Sequence, residues 1–166
     1  MNSDRSIENL RSDHPISAFD GGQIDLNNWL QKFALQNQGA NGARTYVGLA
    51  GAVVVGYYSL AVGQVEYEGA APRLQKGLAR HPIPVMLPAR LAVHKEWQRQ
   101  GVGQSLLRDA ILRTVQASEI AGIRALVVHA KDEAARRYYQ HFDFAPSPTD
   151  PLHLYALVKG ICKQLQ

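Results

Sequence analysis

Leu91-Ala92-Val93-His94-Lys95-Glu96-Trp97-Gln98-Arg99-Gln100-Gly101-Val102-Gly103-Gln104-Ser105-Leu106-Leu107 runs from an apolar, strand-like stretch through a glycine turn into an amphipathic helix. Gly101 and Gly103 let the main chain approach a ligand closely, and the first N–H groups of the following helix have no intrahelical acceptor. The result is an anion-binding site made of backbone, with pyrophosphate as its natural guest.

Spacing separates three readings of this loop. A phosphate-binding P-loop requires Gly-Lys-Ser/Thr, whereas Gly103 is followed by Gln104 and Ser105. A dinucleotide-binding loop requires a third glycine where Leu106 stands, and an acidic strand end about twenty residues later that does not occur. What remains is Gln98-x-x-Gly101-x-Gly103, which also fits a plain glycine-capped turn but resembles the coenzyme A loop of the GCN5-related N-acetyltransferases, Gln/Arg-x-x-Gly-x-Gly/Ala.

With 166 residues, 46% of them apolar, the chain can bury one good core, and one domain over residues 1–166 is expected. Met1 to Pro15 lacks the apolar centre of a secretory signal, and Ala50 to Gly63 is too short and glycine-broken to span a bilayer, so a cytoplasmic protein without membrane contact is expected. The single cysteine, Cys162, excludes an internal disulfide, argues against a cysteine-based metal site and reads as C-terminal packing. The net charge of +4 is unevenly placed: Arg73, Lys76, Arg80, Arg90, Lys95 and Arg99 face only Glu96 between positions 73 and 99. Such a stretch is either an ordinary solvated surface or a face for phosphates.

Periodicity orders the rest. A first strand is expected around Ile7 to Leu10, and Asp20-x-x-Gln23 has the form of a capping box. Leu26, Trp29, Leu30 and Phe33 then make the apolar stripe of a helix ending near Gln36, and a turn follows from Gln38 to Ala43. Thr45 to Ala50 and Ala52 to Tyr67 read as strands joined near Gly51, and Glu68 to Pro84 as a surface loop with a short helix. Val85 to Val93, Ser105 to Ala121 and Ala125 to Ala130 form strand, helix and strand, which implies parallel pairing. Asp132 to Phe142 is a helix with Ala135, Tyr138, Tyr139 and Phe142 inward. Ala145 to Pro151 is a rigid connector, and Leu152 to Val158 a last strand. The class is α/β: a mixed central sheet flanked by helices, with a βαβ core carrying the glycine loop.

A second motif joins the first. Tyr138-Tyr139-Gln140-His141-Phe142-Asp143-Phe144 is similar to the late acetyltransferase motif aromatic-Tyr-x-x-x-Gly-Phe, with Asp143 at the usual glycine, a change that bears on helix termination more than on chemistry. The resemblance implies that acetyl coenzyme A is the cosubstrate, without a metal. Its pantetheine arm lies along Leu91, Ala92 and Val93, and its pyrophosphate on Gln98, Arg99, Gln100, Gly101, Val102, Gly103, Gln104 and Ser105. Tyr139 is then the general acid that protonates the departing thiolate, since a phenol near pKa 10 can protonate a thiolate whose thiol is near 8.5. Without the loop, Tyr139 reads sooner as a core aromatic at helical spacing than as a catalyst, and Tyr138, one step around the helix, has the better claim to plain packing. The strand Pro84 to Val93 carries no Asp or Glu to serve as base, which suits an α-amine near pKa 8 better than a lysine near 10.4; His94 and His141 are the remaining candidates.

The match narrows further. Phe19-Asp20-Gly21-Gly22, Gly56-Tyr57-Tyr58-Ser59-Leu60-Ala61, Ile83-Pro84-Val85, Ala89-Arg90-Leu91-Ala92-Val93, Val127-Val128-His129-Ala130 and Phe144-Ala145-Pro146-Ser147-Pro148 resemble, in that order, the acetyltransferase toxins of bacterial toxin-antitoxin pairs. The usual cysteine after Phe-Asp is Gly21, a change expected to be distant from the chemistry. The resemblance implies acetylation of the α-amine of aminoacyl-tRNA, arrest of translation, a homodimer, and a ribbon-helix-helix antitoxin through which DNA is bound. Arg73, Lys76, Arg80 and Arg90 are then contacts for tRNA, and Arg99 serves either tRNA or coenzyme A. An acetyltransferase of protein N-termini or of a small amine, and a non-catalytic coenzyme A module, are the rival readings.

Overall fold

A computed structural model describes residues 5–165. Its strands are β1 (Arg5–Asn9), β2 (Arg44–Ala50), β3 (Val53–Val65), β4 (Ile83–Val93), β5 (Ala125–His129), β6 (Ala145–Pro146) and β7 (His153–Leu157). Its helices are α1 (Ile24–Asn28), continued through a π turn (Trp29–Phe33) into α2 (Ala34–Gly39), then α3 (Pro72–Gln75), α4 (Val102–Ser118), α5 (Glu133–His141) and α6 (Val158–Leu165); a 3₁₀ turn covers Lys95–Trp97. Contacts divide the chain into two units, one of residues up to Ala61 with Pro88–Ala110, the other of Val62–Leu87 with Ile111 onward.

In the first unit the strand order is β1-β2-β3-β4. β1 pairs antiparallel with β2 from Arg5↔Ala50 to Asn9↔Tyr46, and β2 turns into β3 at Gly51, whose φ of +59° a residue without Cβ adopts freely. The hairpin read from the valine- and tyrosine-rich run is therefore present. Leu10, Phe19, Leu30, Ala34, Val47, Tyr57 and Ala92 form the core of this unit. Tyr57 is fully buried, and its hydroxyl donates to the Leu26 carbonyl at 2.7 Å, so its one polar atom is satisfied.

In the second unit the order is β3-β4-β5-β7-β6. β4 and β5 are parallel through Val85↔Ala125 and Met86↔Leu126, as strand-helix-strand connectivity requires, while β5 and β7 are antiparallel from Ala125↔Leu157 to His129↔His153. Here the expected surface loop is partly core: Ala70, Ala71 and Leu74 are buried with Ile83, Val85 and Val127. Arg124 holds that segment by donating to the carbonyls of Arg73, Leu74 and Lys76 at 2.7–3.2 Å.

Other expectations are corrected. The capping box does not form: Gln23 is the N-cap without a side-chain bond, because Asp20 instead accepts from the Gly22 N–H, from Asn27 and from Lys95. The stripe Leu26-Trp29-Leu30-Phe33 breaks at the π turn, where the Ala34 N–H donates to the Trp29 carbonyl. One residue is thereby added to the turn, so Ala34 is fully buried and Phe33 is 52% exposed. Tyr138 is exposed rather than inward. The connector contains a short strand, Ala145–Pro146, which pairs with β7 at the sheet edge, where a proline without N–H is tolerated. The chain after β7 is helical, placing Cys162 half-buried on α6. Asp143 has φ +67°, a left-handed turn conformation that glycine adopts more readily.

Gly56 on β3 seats the start of α4. An added Cβ would lie 2.8 Å from Leu106, 2.9 Å from the Ala92 carbonyl and 3.2 Å from Val102. Gly56→Ala is therefore expected to destabilise the fold by about 1–3 kcal/mol through overpacking, read as a lower urea midpoint. Gly48→Ala, whose Cβ would meet its nearest neighbour at 3.6 Å, is the control and should leave the midpoint nearly unchanged.

Candidate functional site

β4 ends at Val93, and the chain turns there because the His94 N–H still donates to the Val55 carbonyl while the His94 ring turns back to accept the Glu96 N–H at 3.2 Å. His94 is also edge-on to Phe19, and its Nδ1 caps the 3₁₀ turn. After the 3₁₀ turn, the Gln98 amide donates to the Val93 carbonyl at 3.1 Å and to the Gly21 carbonyl at 3.3 Å. The first residue of the Gln-x-x-Gly-x-Gly pattern thus fastens the loop to the strand that precedes it.

Beyond Gln98, Arg99 (φ +66°) and Gly101 (φ +83°) are both left-handed, a backbone form that turns successive N–H groups toward one concave side. Only the second is a glycine, so Arg99 holds a conformation costing on the order of 1 kcal/mol, a strain typical of ligand-holding loops. The first i→i−4 bond of α4 is Ser105 N–H to the Gly101 carbonyl at 3.1 Å, which leaves the amides of Val102, Gly103 and Gln104 ahead of the helical ladder. Ser105 therefore offers its hydroxyl and not its amide. Gln100 donates to the Glu96 carbonyl and stiffens the turn from within.

Phe19-Asp20-Gly21-Gly22 braces the loop from outside. The Gly21 N–H donates to the Asn27 side chain, Gly22 N–H to Asp20, and Lys95 reaches Asp20 with both its N–H (2.8 Å, to the carbonyl) and its ammonium (3.0 Å). The Gly22 amide first, then Lys95 and Asn27, hold the Asp20 carboxyl down at about 2. Gly21 is thus not remote from the loop: a Cβ there would stand 3.2 Å from the Val93 carbonyl, and its own carbonyl anchors Gln98.

In the same unit Arg90, just ahead of Leu91, Ala92 and Val93, lies with its guanidinium 3.6 Å from the centroid of the Trp29 ring. The other basic residues expected to contact RNA belong to the second unit. Arg73 and Lys76 are exposed, with their carbonyls on Arg124, and Arg80 pairs with Glu68 at 3.6 Å beside Tyr67.

Tyr139, also in the second unit, is half-buried on α5 against Phe144 and Tyr138, with ring centroids 5.7 and 5.6 Å away. Burial, and to a lesser degree Tyr138, push its phenol above the ordinary value, so it is protonated throughout the physiological range. His141, the other histidine considered as a base, is exposed and edge-on to Phe142. Sequence reasoning passed over His129 and His153, cross-strand partners stacked at 4.0 Å that line a cavity of about 310 Å³ with Ser147 and Thr149. Burial, then His153, pushes the His129 pKa down. Their pairing depends on β5–β7 register, which no local spacing reveals.

The clamp yields a prediction. Gln98→Ala removes two bonds to carbonyls, each worth about 1 kcal/mol, and is expected to raise the dissociation constant of a pyrophosphate-bearing ligand such as coenzyme A about fivefold or more in calorimetric titration. An unchanged constant would show that the loop holds its shape through backbone alone. Because the Asp20 pKa is depressed, its contribution is complete above its ordinary value of 3.8 and lost as pH falls through about 2, so binding should not change through Asp20 between pH 5 and 8.

Comparison with known proteins places this geometry. The acetyltransferase (GNAT) domain family matches residues 41–146. A tRNA-acetylating toxin of Mycobacterium tuberculosis (strain ATCC 25618 / H37Rv) is 45% identical over 144 residues, 87% of this chain and 86% of that protein. Among solved structures, AtaT complexed with acetyl-methionyl-tRNAfMet superposes with a TM-score of 0.88 at 27% identity, over 98% of this chain and 100% of the other. A Tyr-to-Phe variant of the AtaT toxin, bound to the C-terminus of the antitoxin AtaR and to acetyl-CoA, gives 0.80 at 27% identity, over 98% and 99%. A family model that covers more than half of the chain and a relative 45% identical over most of its length show that the chain belongs to the GNAT family.

Proposed function

We propose that the protein is a toxin that moves the acetyl group of acetyl-CoA to the α-amine of an aminoacyl-tRNA and so blocks translation. The observation that carries this reading is the identity shared with the tRNA-acetylating toxin over most of both chains. The clamped loop supports it: the amides of Val102, Gly103 and Gln104, with the left-handed turn at Arg99 and Gly101, suit the pyrophosphate of the donor. Leu91, Ala92 and Val93 take its pantetheine arm on the strand edge.

The chemistry needs few groups. The uncharged α-amine attacks the acetyl carbonyl, forming the C–N bond; the tetrahedral intermediate collapses with loss of the C–S bond, and the Tyr139 hydroxyl gives its proton to the leaving thiolate. The proton released by the attacking nitrogen restores the phenol through solvent. Arg73, Lys76, Arg80 and Arg90 serve the phosphates of the acceptor, with Arg99 shared between acceptor and donor. One acetyltransferase domain over residues 1–166, a homodimer, and neutralisation by a ribbon-helix-helix antitoxin that carries the complex to DNA complete the proposal. The cytoplasm, where charged tRNA resides, is its place of action. Among the described residues no helix is long and apolar enough to cross a membrane.

Acetylation of charged tRNA from labelled acetyl-CoA tests the reading. Label on peptides or polyamines but never on aminoacyl-tRNA would overturn it in favour of an acetyltransferase of protein N-termini or small amines. Tyr139→Phe is expected to slow transfer by about 10²–10⁴-fold while acetyl-CoA still binds. Sign and window of the pH dependence also follow: kcat/KM rises as the acceptor amine loses its proton near pH 8, then stays level to about pH 10 because the raised phenol keeps its proton. A fall already at pH 8–9 would exclude Tyr139 as the acid.

A further inference from the structure

The π turn at Trp29–Phe33 displays one aromatic ring, Phe33, that the core does not bury, beside Trp29, which packs against the core. Its inserted residue gives the buried position to Ala34 and turns Phe33 outward. The Phe33 ring nonetheless keeps a partner, stacking on Trp29 with centroids 6.3 Å apart and planes 29° from parallel. Trp29 is fixed in turn: its indole N–H donates to the Ser59 hydroxyl at 3.2 Å, and Ser59 shares a 2.8 Å hydrogen bond with Thr45, both hydroxyl residues being fully buried. The Arg90 guanidinium lies against the same indole, and among the described residues no carboxylate pairs with it.

A flat ring surface locked in orientation, half open to solvent and flanked by an uncompensated cation is the arrangement that holds an unpaired base and its phosphate. An apolar peptide would gain nothing from the cation, whereas a nucleotide uses both parts. Arg90 directly precedes Leu91, Ala92 and Val93, so the platform belongs to the strand assigned to the pantetheine arm. Resting on the aminoacyl-tRNA reading, we propose that Phe33, Trp29 and Arg90 form a stacking platform for an unpaired nucleobase at the single-stranded 3′ end of the acceptor RNA.

The test uses the full chain and a labelled, uncharged RNA hexamer ending in CCA, followed by fluorescence anisotropy, beside acetylation of charged tRNA. Phe33→Ala is expected to weaken hexamer binding and raise KM for charged tRNA by about tenfold, while Phe33→Trp restores both, because any flat ring offers the stacking face. Arg90→Gln should reduce the slope of log affinity against log salt by about one, as the loss of one phosphate contact requires. The acetyl-CoA dissociation constant reports whether each variant is folded. Wild-type affinity of folded Phe33→Ala for the hexamer would overturn the platform. Normal hexamer affinity with an altered sedimentation coefficient would overturn it in favour of a protein interface. A wild-type chain that acetylates charged tRNA while Phe33→Ala does so with unchanged KM sinks the platform alone. A wild-type chain that neither binds the hexamer nor acetylates charged tRNA brings down the aminoacyl-tRNA reading with it.

Discussion

The Gln98 amide, shared between the carbonyls of Val93 and Gly21, is the contact on which the glycine loop depends. A helix start presents free amides wherever it occurs, so what distinguishes this one is that its approach is rigid. Gln98 ties the loop back to β4, Lys95 ties the 3₁₀ turn to Asp20, and Gly21 and Gly22 give their own amides to Asn27 and Asp20. Each bond is modest alone, about 1 kcal/mol, and the exposed ion pair adds little. Their combined effect is geometric, since they act on a few residues that must hold two left-handed conformations in succession. In the short Phe-Asp-Gly-Gly run, Gly21 lies close against the Val93 carbonyl, where an added Cβ would stand 3.2 Å away.

Much of this was legible in the sequence where a physical signal is local. The turn at Gly101, the hairpin around Gly51 and the strand-helix-strand alternation after Val85 each depend on residues near one another and each is present, although α4 runs from Val102 to Ser118, three residues ahead of the expected Ser105 to Ala121, and takes in Gly103. Signals failed where a distant group competes. Asp20 carries the pattern of a helix cap, but an ammonium on Lys95 and the amide of Gly22 claim its carboxylate. Three carbonyls of the α3 segment converge on Arg124, a role that no local spacing carries.

The π turn is the instructive case, because the apolar stripe Leu26-Trp29-Leu30-Phe33 is helical in spacing and still misassigns its last member. A pattern counts residues, while burial follows the backbone, and one extra residue in a turn shifts every later side chain by about 100°. Ala34, too small to weigh in a hydrophobic pattern, takes the core position. Trp29 stays where the pattern put it because the buried Ser59–Thr45 pair needs a donor and the indole supplies one.

The acceptor amine is constrained by what β4 lacks. No carboxylate stands on Ile83–Val93, His94 accepts a backbone amide, and the Tyr57 phenol is buried, held by the Leu26 carbonyl and pushed up by that burial despite the opposing charge of Arg90. Among the described residues, β4 itself thus carries no carboxylate to act as a base. At neutral pH about one α-amine in ten is uncharged, against on the order of one lysine in a few thousand, a difference of roughly 3 kcal/mol in the cost of presenting a nucleophile. A strand without a carboxylate suits amines that deprotonate unaided. Selectivity among such amines must then come from what is attached to them, and the proposed platform of Arg90 and Phe33 would act there and not at the reacting nitrogen.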